Sequence, residues 1–180
     1  MEIHSELLPG VFVLKPPVFK DHRGDFVKTY HRPHFEKLGL NCNFTEEYFT
    51  LSRKDVLRGM HLQLPPHDYE KLIYCIRGAV LDVVIDLRKN SPTFGEARSI
   101  ELSEQNRLIL MIPRAFAHGF LSLSNDSLMV YKTTTVHAPS HDAGVRWDSF
   151  NFDWPLQGRT PIISERDMRL PALADFQSPF

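Results

Sequence analysis

The amino-acid sequence predicts an all-β protein, a jelly-roll barrel with a few short helices. Three observations predict it. Apolar runs of strand length recur along the chain, the strongest being Lys71-Leu72-Ile73-Tyr74-Cys75-Ile76 and Ala79 to Arg88. Turn-forming clusters punctuate them, as in Asp21-His22-Arg23-Gly24-Asp25 and Asn90-Ser91-Pro92-Thr93-Phe94-Gly95. Helix signals are confined to two short stretches, Pro33 to Leu38 and the segment opened by Ser164. Many short strands and little helix make a sandwich or closed barrel, and a jelly roll offers a small-molecule site at its mouth.

In chain order, Leu8 to Val18 reads as a strand. Its Lys15-Pro16-Pro17 end places it at a sheet edge, because proline cannot donate to a ladder. Phe26 to Tyr30 follows the Asp21–Asp25 turn as a strand. Pro33 to Leu38 forms a helix with proline in its first turn and Gly39 after its end. Phe44 to Ser52 and Val56 to Gln63 are strands, rich in aromatic and β-branched residues or alternating in pattern. Leu64-Pro65-Pro66-His67-Asp68 is a loop, so the strands ending at Gln63 and starting at Lys71 read as hairpin neighbours. Along Ala79 to Arg88, Leu81, Val83, Ile85 and Leu87 share one face, and Val80, Asp82, Val84 and Asp86 the other. Ser99 to Leu102, Leu108 to Ile112, Gly119 to Ser122 and Ser127 to Thr135 are further strands. Trp147 to Trp154 is irregular. Ser164 caps a short helix, with Asp167 three residues on. The tail after Pro171 reads as loosely ordered.

Composition bounds the function. The 180 residues suit one domain with a sizeable core, and 42% hydrophobic with 24% charged residues is ordinary for a soluble protein. A net charge of −1 supplies no overall field for nucleic acid or an anionic membrane, so an anionic ligand must be held by local cations. No apolar run reaches membrane-spanning length, and the start of the chain lacks the basic and apolar regions of a secretory signal. Cys42 and Cys75 have no metal-type spacing, and a reduced, cytoplasmic thiol pair is expected.

Four groups of residues carry chemistry. His61 and Gln63, on one face of their strand, stand near Lys71. Ile112-Pro113-Arg114-Ala115-Phe116-Ala117-His118-Gly119-Phe120 is a proline turn feeding a histidine. Tyr131-Lys132 lies on a strand, and Arg23, Arg58 and Arg166 are candidate anion-binding cations. A histidine alone on a strand is more often a hydrogen-bonded structural residue, and it is the co-occurrence that points to chemistry. A His, a Tyr and a Lys around one cavity suit proton abstraction beside a carbonyl. An imidazole takes the proton near neutrality, an ammonium steadies the enolate oxygen, and a phenol returns a proton from the other side. Arginines hold a diphosphate bidentately. A competing metal reading uses His61, His67, Glu70 and His118, but Gln63 stands where a His-x-His pair would need its second histidine.

Asp21-His22-Arg23-Gly24, Val56-Leu57-Arg58-Gly59-Met60-His61-Leu62-Gln63, Lys71-Leu72, Asp86-Leu87-Arg88, Ser91-Pro92-Thr93-Phe94-Gly95, Ala117-His118-Gly119-Phe120, Tyr131-Lys132, Trp154-Pro155 and Ser164 with Asp167 stand in one order and spacing. In these motifs, nearly end to end, the chain resembles the dTDP-4-dehydrorhamnose 3,5-epimerases. The resemblance implies a cupin-type jelly roll without metal or other cofactor. It implies a single domain over residues 1–180, with its N-terminal strand around Val11 to Leu14 exchanged across a homodimer. His61 is then the base, Asp167 its orienting carboxylate, Lys71 the neighbouring cation and Tyr131 the acid. Arg23, Lys28, Glu46, Tyr48, Arg58, Gln63, His118, Asp142 and Arg166 fall at substrate-binding positions, Arg23 being contributed across the dimer. The implied substrate is a nucleotide-diphospho-4-keto-6-deoxyhexose, epimerised at C5 and, where the ring flips in the pocket, at C3.

The chain departs from the family pattern around the nucleotide. Glu46-Glu47-Tyr48 replaces Gln-Asp-Asn, Lys28 replaces a Glu, His137 a Tyr and Arg166 a Lys, while Ala115 stands for a turn glycine. A carboxylate such as Glu46 only accepts hydrogen bonds and would suit the amine of cytosine, making a CDP-linked sugar the alternative substrate. A metal-dependent cupin and a non-catalytic sugar-nucleotide binder are the readings from other classes.

Overall fold

The computed structural model describes all 180 residues. Two antiparallel sheets face each other. One has six strands in the order β1 (Glu2–Leu8), β2 (Val11–Lys15), β10 (Ile109–Ile112), β7 (Lys71–Arg77), β12 (Ser127–Thr133) and β5 (Glu46–Ser52). The other has five, β13 (Asp142–Gly144), β6 (Leu57–Gln63), β11 (Phe116–Ser122), β8 (Ala79–Asp86) and β9 (Ala97–Ser103). A separate two-stranded ribbon joins β3 (Val18–Asp21) to β4 (Gly24–Val27). The helices are short, α1 (Arg32–Lys37) and α2 (Glu165–Met168), and no helix is long and apolar enough to cross a membrane. This is the cupin-type jelly roll expected.

The central strands of both sheets are covered on both faces, which explains the unbroken apolar runs. Between the sheets, Val13, Ile73, Leu110 and Met129 of one meet Val80, Val84, Phe116 and Phe120 of the other. Outside the six-stranded sheet, Leu14, Leu72, Tyr74 and Met111 pack under Phe35 of α1. Outside the five-stranded sheet, Leu57, Leu62, Val83, Ile85 and Leu121 pack under Val145 and Trp154. A strand buried on both sides gains from apolar side chains at every position, so β7, β8 and β11 lose the alternation of half-exposed strands. The two faces read along Ala79 to Arg88 hold. Val80 and Val84 enter the space between the sheets, while Val83, Ile85 and Leu87 lie in the outer layer.

Several expectations are corrected. β6 and β7 are not hairpin neighbours: β6 pairs with β11 and β13, and β7 with β10 and β12. They face each other across the barrel, because the double-proline loop changes sheets. Leu8 to Val18 divides at Pro16-Pro17, and its central part is not an edge. β2 is paired on both sides, and Val11, Val13 and Leu14 are fully buried. The edge belongs to β1, which has little apolar content to announce it. The strand after the Asp21–Asp25 turn is Gly24–Val27 rather than Phe26–Tyr30.

The tail after Pro171 is fixed rather than loose. Leu173, Phe176 and Phe180 pack on the outer layer of the five-stranded sheet. Buried Ser178 donates to the Leu87 carbonyl and accepts from the Phe180 amide at 3.2 Å. The Asp86 motif anchors the loop beside it. Burial alone would raise the Asp86 carboxyl, but hydrogen bonds from Arg88, Ser91 and Thr93 outweigh it and hold the pKa at about 2.

Candidate active site

One end of the barrel interior is polar and open. It forms a cavity of about 590 Å³ lined by Glu46, Tyr48, Thr50, Arg58, His61, Tyr69, Lys71, His118, Phe120, Tyr131, Thr133, His137, Asp142, Ser164, Arg166 and Asp167.

Strand β6 supplies two of these side chains only because it is irregular. Arg58 and His61 are three apart and would point to opposite faces of a regular strand. Against β11, however, His118 lies opposite His61 and Phe120 opposite Arg58, so β6 carries one extra residue there. Such a bulge re-aims the side chain beside it, and both residues reach the cavity. The glycines permit it. Gly59 has φ of +126°, and a Cβ on it would collide with the backbone of Gly119.

His61 Nε2 lies 2.8 Å from Asp167 Oδ1, and Asp167 Oδ2 accepts the Gly59 amide at 3.1 Å. Ser164 caps α2, its hydroxyl accepting the Asp167 amide at 3.1 Å, which places the carboxylate. Burial alone would raise the Asp167 carboxyl, but hydrogen bonds from His61, Gly59 and Ser164 together hold it below the usual carboxylate range. An ionised Asp167 can only accept. His61 Nε2–H therefore donates to it, and in the neutral ring that leaves the lone pair on Nδ1, the tautomer a general base needs.

Lys71 crosses from the opposite sheet, and Nζ donates to the His61 carbonyl at 2.9 Å. Burial lowers its pKa to about 8; the charges of Asp142 and Asp82 oppose this, and Arg166 adds to it. Its ammonium also lies 5.1 Å from the centre of the Tyr69 ring. Tyr131 stands on β12, on the wall facing His61, with Oη 3.4 Å from Thr50 Oγ1. Burial pushes its phenol well above the usual range, which keeps it protonated. His118 is buried, with Nε2 2.8 Å from Asp82 Oδ2. Burial lowers the imidazole and raises the carboxyl.

The structure thus gathers His61, Lys71, Tyr131, Asp167, Glu46, Tyr48, Arg58, His118, Asp142 and Arg166 at one cavity. It does not bring Gln63, Arg23 or Lys28 there. Buried Gln63 spends its amide on backbone, donating to His67 O at 2.7 Å and accepting from Ala138 N at 2.6 Å. Parity with His61 put it on the right face, but the loop that follows takes its polar atoms. Arg23 sits at the turn of the β3–β4 ribbon, paired with Asp21. Glu46 Oε2 accepts the His137 amide at 2.7 Å, so one carboxylate oxygen already holds the loop and the case for a cytosine partner weakens. The four candidate metal ligands do not converge: the His67 ring meets that of His141 at a tilt of 52°, Glu70 accepts a hydrogen bond from Asn41, and no three His, Cys, Asp or Glu side chains are grouped to hold an ion.

Sequence reasoning missed Asp82, Tyr69 and Thr50. Asp82 had a signal, since it shares an apolar strand face with Val80 and Val84. A carboxylate there must find a partner. Tyr69 follows an irregular loop and had none.

Residues 5–175 match the family model for dTDP-4-dehydrorhamnose 3,5-epimerase. The chain belongs to that family. A Shigella flexneri relative of that name is 39% identical over 171 residues, covering 93% of each chain. The crystal structure of the Elizabethkingia anophelis dTDP-4-dehydrorhamnose 3,5-epimerase superposes with a TM-score of 0.91 at 38% identity, covering 97% of each chain. A Legionella pneumophila dTDP-6-deoxy-D-glucose-3,5-epimerase, in complex with dTDP-4-keto-L-rhamnose, is 32% identical with a TM-score of 0.88, covering 93% of this chain and 89% of its own. The protein is an epimerase, an isomerase by reaction class.

Lys71 carries its charge below its pKa of about 8 and loses it as pH rises through that value. If catalysis draws on that ammonium, kcat/KM should fall above about pH 8. Lys71→Arg, whose guanidinium stays protonated, should remove that limb. A parent profile that stays flat well past pH 8 would show that the Lys71 charge is not used.

Proposed function

We propose that this epimerase inverts C5 and C3 of a dTDP-linked 4-keto-6-deoxyhexose. The observation that carries the reading is the placement of His61 and Tyr131 on facing sheets, with Lys71 reaching across between them. The 4-keto group acidifies both neighbouring carbons. His61 Nδ1 removes the proton from C5, the electron pair moves onto the keto oxygen, and the Lys71 ammonium stabilises the resulting enolate. Tyr131 delivers its hydroxyl proton to the opposite face of C5. The pair is then reset through solvent, His61 losing a proton and Tyr131 gaining one. C3 follows by the same steps once the ring has turned over. Arg58 and Arg166 are the cavity's cations for the diphosphate. Likeness to the Legionella enzyme and its bound ligand supports a deoxythymidine sugar.

The functional unit we propose is a homodimer. Phe19 and Phe26 of the ribbon are 58% and 60% exposed, and the edge strand β5 exposes Phe49 and Leu51 at 67% and 51%. Apolar surface of that kind marks an interface. A ribbon lent by one protomer would bring Arg23 and Lys28 to its partner's cavity, with the free edge β1 rather than β2 making the N-terminal contact. Sedimentation should show a dimer at micromolar concentration, and Phe19→Asp with Phe26→Asp should give monomers of reduced activity. A parent that is monomeric and fully active would refute the dimer.

Incubation with the dTDP-4-keto-6-deoxyglucose substrate in deuterium oxide should place label at C5 and C3. His61→Asn should lower uptake by about 10²–10⁴-fold with the fold retained. Tyr131→Phe should depress inversion more than uptake, because abstraction by His61 survives. Near-parent uptake in folded His61→Asn would remove His61 as the base.

A further inference from the structure

We propose that Tyr48 is a positioning residue for the acid: it holds the Tyr131 ring in place and screens that wall of the cavity from water. The inference rests on Tyr131 being the acid. Tyr48 and Tyr131 are direct cross-strand partners on β5 and β12. Their rings lie 4.8 Å apart at an interplanar angle of 10°, a stacked pair. Cross-strand aromatic pairs are a local unit of sheet stability. On its strand β5, Thr50 occupies the next position on the same face and touches the Tyr131 hydroxyl. His118 meets the Tyr131 ring edge-on, with centroids 6.2 Å apart. The acid is therefore held on one ring face by Tyr48, edge-on by His118 and at its tip by Thr50.

Exposure shows what Tyr48 adds. Tyr131 is 5% exposed and Tyr48 39%, so Tyr48 stands between the acid and solvent on an edge strand. Burial, with the Glu46 and Asp142 charges, pushes the Tyr48 phenol up to about 12, so the covering ring is itself neutral at working pH. An enolate has two fates after His61 has taken its proton. Return from the His61 side restores the starting configuration and leaves only label; delivery from Tyr131 inverts the carbon. A Tyr131 ring free to swing, or water admitted beside it, favours the first fate and lets protons reach the enolate without control of face. Holding Tyr131 thus sets the number of inversions per exchange event, a quantity separate from how fast His61 works.

The test compares the parent, Tyr48→Ala and Tyr48→Phe on two readouts. In deuterium oxide, Tyr48→Ala should lower inversion per deuterium taken up by roughly three- to tenfold, the factor one aromatic pair supports. Tyr48→Phe, which keeps the ring, should restore most of that ratio. Independently of activity, ligand-free protein labelled with 13C at the tyrosine ζ carbon reports the Tyr131 phenol, assigned through Tyr131→Phe. In the parent and Tyr48→Phe, that signal should stay in the phenol position up to the alkaline limit of the fold. In Tyr48→Ala it should begin to titrate within that range. An unchanged ratio and an unchanged Tyr131 signal in Tyr48→Ala would overturn the inference. Equal damage in Tyr48→Phe and Tyr48→Ala would also overturn it, by assigning the effect to the Tyr48 hydroxyl. A parent that takes up no label defeats the assignment of the base and acid themselves, while the Tyr131 signal still reports whether Tyr48 shields it.

Discussion

The site depends on one carboxylate. Asp167 accepts hydrogen bonds from the His61 ring and the Gly59 amide, and so ties a late, short helix to the strand that carries His61. The Gly59 amide is turned toward Asp167 at the point where β6 takes in an extra residue, and that residue puts Arg58 and His61 into the same cavity. The close approach of Gly59 and Gly119 leaves no room for a side chain at either. Both catalytic-looking motifs in the sequence, Arg58-Gly59-x-His61 and His118-Gly119-Phe120, are thus two sides of one contact between β6 and β11.

The doubly covered sheets give the cavity its electrostatics. Lys71, Asp82, His118 and Tyr131 are buried, and burial is the largest influence on each of their pKa values. In every case it favours the uncharged form. Opposing charges then decide how far each group moves: Asp142 and Asp82 hold Lys71 up, and His118 and Lys71 hold Asp82 down. An ammonium poised near neutrality and a phenol that stays protonated suit enolate chemistry, in which charge develops on one oxygen and a proton arrives from the far side.

Much of this was legible in the sequence, and what was not has physical causes. Apolar runs broken by turn residues gave the jelly roll, and the Ser164 and Asp167 spacing gave the capped helix that presents the carboxylate. His61, Lys71 and Tyr131 were legible as residue types whose chemistry fits together. Sheet assignment was not, because Pro65-Pro66 marks a loop without saying whether the chain turns back or crosses over; β6 and β7 proved to face each other. Arg58 breaks the parity rule through a bulge that no residue pattern announces. Gln63 obeys the rule and still misses the cavity, since hydrogen bonds to the loop at His67 and Ala138 take its polar atoms. The tail looked loose because its anchors, the packing of Leu173, Phe176 and Phe180 on the outer layer and the buried Ser178 hydroxyl on the Leu87 carbonyl, are contacts far away in sequence.

The His61 tautomer tests the account at its centre. Long-range 15N–1H correlation of the histidine rings, with His61 assigned through His61→Asn, reads which ring nitrogen carries the proton. With Asp167 ionised and bonded to Nε2, the parent should show the Nε2–H form with an unprotonated Nδ1, and Asp167→Asn should mix the two tautomers. A parent His61 protonated on Nδ1 would leave no lone pair for abstraction there and would contradict the account.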